Sequence, residues 1–332
     1  LPYCIIQKNL RRGEPYGGGN KMKVMKFGGT SVGKPQRMKE VAQLINADKE
    51  TKIVVLSALS GTTNALVEIS NVLANGDRYA AQEKINALEA HYRSFVNELL
   101  SKDAVLQKAS KLLSEHFEFL NIILKISFSE ALNKDILAQG ELLSTKLFSL
   151  YLEEIEVEHR LIPALDFMSL DNQDEPQVGT IKVKLSQILQ KHKEVPVFIT
   201  QGYITRNAKG EVDNLKRGGS DYSASLIAAA VNANYCEIWT DIDGMHNNDP
   251  RVVKTTRPIE QLSFEEAAEL AYFGAKILHP ASIKNFAPCQ YLAGAVLQCA
   301  CKVAQHNGSF SKGNFNYRTC RKHRSKSRGS QG

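Results

Sequence analysis

Residues 22 to 33 read Met22-Lys-Val-Met-Lys-Phe-Gly-Gly-Thr-Ser-Val-Gly33, and the fold turns on how this stretch is read. Val24 to Phe27 suit a short strand. Gly28 and Gly29 open a turn without side chains, Thr30 and Ser31 add hydroxyls, and a helix is expected to start near Pro35. A strand that runs into a Gly-rich turn ahead of a helix lets backbone N–H groups approach phosphate oxygens. Lys26 adds a positive point charge just before the turn. Residues 28 to 34 also satisfy the first seven positions of the P-loop pattern. The eighth position needs a hydroxyl for Mg²⁺, and here it is Pro35, so that reading fails. An ordinary Gly turn in an α/β fold remains open at this point.

With 332 residues the chain is long enough for one large α/β domain or two smaller ones. It has no apolar run of about 18 residues and no apolar signal region at its start. The net charge of +7 is unevenly spread. Residues 1 to 21 carry +3, residues 284 to 332 carry +9 with no acid at all, and the body between them carries −5. A nucleic-acid reading would therefore rest on the ends alone. The cysteines divide the same way. Cys236 lies in the body, Cys4 near the start, and Cys289, Cys299, Cys301 and Cys320 beyond residue 283. A body with one cysteine suits a reducing, cytoplasmic setting. The spacing of the late cysteines with His306 and His323 falls outside the usual zinc patterns.

Residues 1 to 21, with Arg11-Arg12-Gly13 and Gly17-Gly18-Gly19, read as a flexible leader foreign to the body, and Met22 as a natural start. The body alternates strand and helix signals. Helices are expected over Arg37–Ala47, Ala65–Leu73, two segments within Tyr79–Ile126 broken near Ser101–Asp103, Glu130–Glu154, Lys182–His192 and Tyr222–Val231. Strands are expected over Ile53–Leu56, Glu156–Leu161, Ala164–Phe167, Val195–Thr200 and Cys236–Thr240. Residues 203 to 216 read as a hairpin turning at Asn207–Gly210, and Ser263 with Glu266 as a helix-starting capping box. After Ile283 no clear period survives.

Three strand-to-helix junctions share a chemistry: Lys26 to Thr30, Ser57 to Asn64, and Arg217-Gly-Gly-Ser-Asp221. Two of them pair Gly-Gly with a flanking cation, which is a phosphate-handling pattern at the end of a sheet where α/β folds bind ligands. Asp221 and Asp241 suit Mg²⁺, or the orientation of a lysine beside phosphates. Asp221 is equally a helix N-cap. On pattern alone, Glu141 and Lys276 read as exposed helix residues.

At these residues the chain resembles aspartate kinases of the amino-acid kinase family, of the monofunctional type, from Lys26 to about Ile283. The resemblance is carried, in order, by Lys26-Phe-Gly-Gly-Thr-Ser-Val32, Val55 to Asn64, Gln139-Gly-Glu-Leu-Leu-Ser144, Arg217 to Ala224, Trp239 to Gly244, Asp249-Pro-Arg251 and Phe273 to Pro280. It implies a three-layer α/β/α fold with a mainly parallel central sheet, in a catalytic domain spanning residues 22 to 283. The activity implied is ATP-dependent phosphorylation of L-aspartate to 4-phospho-L-aspartate, which opens the route to lysine, threonine, methionine and isoleucine. By this resemblance Lys26, Gly28 and Gly29 contact phosphates, and Ser57, Thr63, Glu141, Arg217 and Ser220 hold aspartate. Thr240, Asp241, His246, Arg251 and Lys276 surround ATP. Asp221 organises the catalytic lysine, and Mg²⁺ is carried by the ATP phosphates. The family also implies a homo-oligomer.

Two departures stand out. His246 occupies a position where the family often has Tyr. Residues 284 to 332 resemble neither the end of the kinase domain nor the ACT regulatory domains, and read as a frame-altered or foreign end. The rival expectations are an inactive truncated kinase and a nucleic-acid-binding protein acting through the basic tail.

Overall fold

Side chains alternate across a strand, so a strand that is apolar on both faces needs cover on both sides. Lys52 to Leu56 is buried throughout, and so is Val197 to Gln201. The structure, a computed structural model of the chain, describes residues 3–7, 22–215, 219–239, 253, 255–257, 259, 261–263, 296–300 and the single residues 248, 266 and 269. Its strands are β1 (Tyr3–Gln7), β2 (Met22–Phe27), β3 (Thr51–Leu56), β4 (His159–Leu161), β5 (Val197–Gln201), β6 (Ile204–Arg206), β7 (Val212–Asn214), β8 (Tyr235–Trp239), β9 (Gln261–Ser263) and β10 (Val296–Ala300). Among the described residues the main sheet runs β4-β5-β3-β2-β8-β1-β10-β9, and β6 with β7 forms a separate hairpin. The first five strands of that order are mutually parallel, with Lys26 opposite Val55 on one side and Ile238 on the other.

The helices are α1 (Gly29–Val32), α2 (Pro35–Ile45), α3 (Thr62–Ala74), α4 (Arg78–Leu99), α5 (Asp103–Ile123), α6 (Glu130–Glu154), α7 (Ala164–Phe167), α8 (Val178–Lys191) and α9 (Gly219–Ala230). They form two outer layers with separate cores. Met25, Phe27, Val54, Leu56 and Ile199 face α2 to α6, while Val24, Ile53, Val55, Phe198 and Ile238 face α7 to α9. The break between α4 and α5 is tied down by Glu154 at the end of α6. Its carboxylate accepts the N–H of Ser101 at 2.9 Å and of Lys102 at 3.0 Å.

Several expectations need correction. Residues 164 to 167 form a helix and not a strand. The N–H of Ala164 goes to the side chain of Gln201 at 2.7 Å, and the carbonyl of Ala164 takes the N–H of Met168, so neither is offered to a neighbouring strand. Glu156, with φ 59°, lies in the turn that ends α6, and the next strand starts only at His159. Tyr3–Gln7 is not a flexible leader segment. It pairs antiparallel with β8 and β10, which covers the edge that β8 would otherwise leave open. Val296–Ala300, expected to lie outside the fold, joins the same sheet. By contacts the chain divides into Leu1–Lys302 and Val303–Gly332, and the described residues all lie in the first unit. The helix expected after Ser263 falls largely outside the described residues, and the basic run 318–328 does so entirely.

At the far end of the sheet from the strand-to-helix turns, Lys52 is buried within β3. Its ammonium donates to the carbonyls of Ile45 (2.6 Å) and Asp48 (3.0 Å) and to the Asp48 carboxylate (2.7 Å), closing the C-terminus of α2. Lys23 of β2 reaches the same carboxylate at 2.5 Å. Burial works against the charge on Asp48, but the bonds from Lys23 and Lys52 outweigh it and hold the carboxyl below its ordinary range. A lowered folded pKa contributes stability that is complete above the unfolded value and is lost as pH falls through the folded one. Because the Asp48 side chain is 40% exposed and solvent screens its ion pairs, Asp48→Asn should cost about 1 kcal/mol at neutral pH and should flatten the acid limb of a melting curve against pH. Thermal melts of both proteins from pH 7 down to pH 3 check this.

Candidate active site

The alternation that buries Phe27 against one layer turns Lys26 toward the other, where α9 begins. Asp221 stands in the first turn of α9, and its Oδ1 lies 2.6 Å from Lys26 Nζ. Both side chains are mostly enclosed, at 12% and 20% exposure. The pair holds an ammonium group at the C-terminal edge of a parallel sheet, where such folds bind ligands. Gly28 and Gly29 follow at the head of α1.

The second junction lies beside the first. After β3, the Ser57 N–H donates to the Phe27 carbonyl at 3.2 Å. The two turns touch so closely that a side chain at Gly33 would sit 2.5 Å from Ser60 Cβ. Ser57 Oγ donates to Ser220 Oγ at 2.8 Å, which joins this turn to the head of α9. Ser144 Oγ of α6 donates to the Ser57 carbonyl at 2.7 Å. Helix α6 thus runs behind the turn after β3.

Glu141 projects from the middle of α6 into this cluster and is 4% exposed. Its Oε1 accepts the Ala58 N–H at 3.3 Å, while its Oε2 is buried with no hydrogen-bond partner. Burial pushes this carboxyl up to about 8, against the opposing pull of the Ala58 N–H. A buried carboxylate with one oxygen unmatched is costly unless a cation or donor completes it. The exposed-helix reading of Glu141 is therefore wrong: α6 has no solvent face at that position, because the Ser57–Gly61 turn covers it. Gln139, two residues earlier, is structural. His116 Nδ1 meets its Oε1 at 2.5 Å, which locks α5 to α6.

The described site residues Lys26, Gly28, Gly29, Ser57, Glu141, Ser220 and Asp221 come together at this edge. Thr63, on the first turn of α3, is exposed, and its neighbour Thr62 is the buried one. Arg217, Thr240, Asp241, His246, Arg251 and Lys276 lie outside the described residues. Sequence reasoning missed Tyr203. It follows β5 with φ 65°, a conformation unfavourable for an aromatic residue and typical of functional sites. Its N–H donates to Ser223 Oγ at 2.9 Å, and its ring packs beside Gly219 at the start of α9. Its position after Gln201-Gly202 at a strand end is the available signal; the backbone strain is not visible in sequence.

The family model described as "Amino acid kinase family" matches residues 21–286. The chain is 36% identical over 264 residues to lysine-sensitive aspartokinase 3 of Escherichia coli (strain K12), covering 78% of this chain and 58% of that protein. It is 35% identical over 278 residues to aspartokinase 1, chloroplastic, of Arabidopsis thaliana, covering 79% and 47%. The crystal structure of E. coli aspartokinase III in complex with aspartate and ADP (R-state) is similar at TM-score 0.71 and 34% identity, over 80% of this chain and 60% of that one. The same enzyme with lysine and aspartate (T-state) gives 0.68 and 35%, over 80% and 59%. The chain thus spans about half to three-fifths of the length of these relatives.

The raised pKa of Glu141 has a stability consequence. The folded state holds this proton more tightly than the unfolded chain, so the stabilising contribution is complete below the ordinary Glu range and is lost as pH rises toward about 8. Glu141→Gln keeps the shape without the titration. It should melt at or above the parent temperature at pH 8 and should lose the parent's decline between pH 5 and pH 8. Paired melts across that interval check it.

Proposed function

The chain belongs to the amino acid kinase family, and from that membership and the geometry of the site we propose that it is an aspartate kinase, transferring the γ-phosphoryl group of ATP to the side-chain carboxylate of L-aspartate. The observation that carries this reading is Glu141. A buried carboxylate with a free oxygen, against the turn that carries Ser57 and is joined through Ser220 to the head of α9 where Asp221 meets Lys26, is matched to a small ligand that brings a cation. The ammonium of aspartate supplies that cation. Its arrival favours the ionised form of Glu141, and the proton held in the free protein leaves to solvent.

The remaining groups of the substrate follow. Arg217 takes the α-carboxylate in a bidentate grip. Ser57 and Ser220 donate to carboxylate oxygens. The acceptor β-carboxylate is already an anion at neutral pH and needs no general base, so the work is alignment and charge neutralisation. Lys26 neutralises charge on the phosphoryl group as it moves, and Asp221 keeps the ammonium aimed along the sheet edge. Thr240, Asp241, His246, Arg251 and Lys276 are proposed to surround the nucleotide. Mg²⁺ bound to the ATP phosphates supplies further charge neutralisation. Asp221, the carboxylate beside Lys26, would suit an ion that takes most of its ligands from phosphate and water.

A hydroxamate assay for acyl phosphate, with aspartate and glutamate compared, tests the reading. Product should form with aspartate in preference to glutamate, and the absence of product from folded protein with either acid would refute it. Lys26→Ala should lower turnover by roughly 10²-fold or more, as removal of a transition-state donor does. Arg217→Ala should chiefly raise the aspartate concentration needed for half-saturation, by about 10²-fold. Normal aspartate saturation in Arg217→Ala would remove that residue from the binding role.

A further inference from the structure

Tyr92 lies in α4, outside the strand-end site, yet it reaches that site through one hydrogen bond. Its side chain is fully buried, its ring meets Phe117 edge-on at 6.1 Å, and its hydroxyl lies 3.0 Å from Thr62 Oγ1. Thr62 opens α3 and is 2% exposed. Its N–H closes the Ser57–Gly61 turn by donating to the Leu59 carbonyl at 3.0 Å. Its methyl group belongs to a tight contact with α6. A side chain at Gly140 would meet Thr62 Cγ2 at 3.3 Å and Ala58 Cβ at 2.8 Å. Gly140 directly precedes Glu141, and Ala58 supplies the N–H that Glu141 accepts.

Thr62 therefore has two jobs on one β-carbon. The methyl must face Gly140, and the hydroxyl must then point to the helical layer, where no water is available. A β-branched side chain has few staggered positions, so a partner for the hydroxyl fixes the methyl as well. The Tyr92 hydroxyl is that partner. It also lies within electrostatic reach of Glu141.

We propose that Tyr92 is a positioning residue for the amino-acid pocket, acting through Thr62 to hold the Ala58 N–H against Glu141. This rests on reading Glu141 as the group that receives the substrate ammonium. The α4–α5 hairpin, which already packs in the same core as the sheet, thereby becomes part of the acceptor site. The nucleotide side is coupled to this strut only indirectly, through the Ser57–Ser220 bond, because Lys26 and Asp221 are themselves held by β2 and α9.

Tyr92→Phe keeps the ring and removes only the hydroxyl. Half-saturating aspartate should rise about three- to tenfold, the worth of one neutral hydrogen bond, while half-saturating ATP stays within about twofold. Amide hydrogen exchange at Ala58 and Thr62 should accelerate while exchange in β3 is unchanged. The melting temperature should fall by no more than about 4 °C. Thr62→Val should reproduce the pattern, and the double variant should be no worse than either single one, because both remove the same bond. If Tyr92→Phe folds poorly, Thr62→Val carries the test alone. Unchanged aspartate saturation together with unchanged exchange would overturn the proposal, and so would equal losses for both substrates. A parent protein that makes no product from aspartate would refute the kinase reading, and the exchange comparison would still decide the role of Tyr92.

Discussion

The two-residue period of β2 is the constraint on which the site depends. Four consecutive residues, Val24 to Phe27, serve two cores at once: Met25 and Phe27 fill one and Val24 the other. Lys26 is the polar exception in that pattern. It falls on the α9 face near the C-terminal end of the strand, where the head of the helix brings Asp221 to 2.6 Å. A shift of one residue in register would bury the ammonium against α2 to α6 and turn an apolar side chain toward Asp221. The geometry of the Lys26–Asp221 pair and the core packing are thus specified by the same hydrogen-bond register with β3 and β8.

The parallel arrangement adds a second consequence. Each parallel strand must return through a crossover, so the turns after β2, β3 and β5 all open on one edge. Residues far apart in sequence meet there. Ser57 and Ser220 are 163 positions apart and share a hydrogen bond. Stacking of Phe27 on Trp239, with centroids 5.5 Å apart, keeps the ends of β2 and β8 level beneath that edge. The helical layer from α3 to α6 then adds a wall with two buried polar groups: Glu141 reaches the Ala58 N–H, and the Thr62 hydroxyl turns back to Tyr92. One oxygen of Glu141 is left unmatched, while the Thr62 hydroxyl is paired.

Long helices are legible in the amino-acid pattern. The bounds expected for α6 are those observed, its start capped by Ser129, and the break between α4 and α5 falls where expected, because the 3.6-residue apolar period of those two helices leaves little choice. Short elements are less legible. Residues 164 to 167 have strand-like composition but form one helical turn, since the side chain of Gln201 takes the N–H that a strand would share. Tyr3–Gln7 reads as part of a leader because its strand partners are more than two hundred residues away. Pairing over that distance leaves no local mark.

By itself the sequence determined the alternation of strands and helices, the failure of the P-loop pattern at Pro35, and the residue types at the Gly-rich turns. These depend on local geometry and on the chemistry of single side chains. It could not determine that Glu141 is buried, since a glutamate inside a mixed helical pattern looks solvent-facing until a loop from elsewhere covers it. Nor could it reveal that Tyr203 adopts a left-handed backbone, or that Tyr92 reaches the site through Thr62. Those facts belong to tertiary structure alone, because burial, backbone strain and long-range hydrogen bonds arise only when segments distant in sequence are packed together.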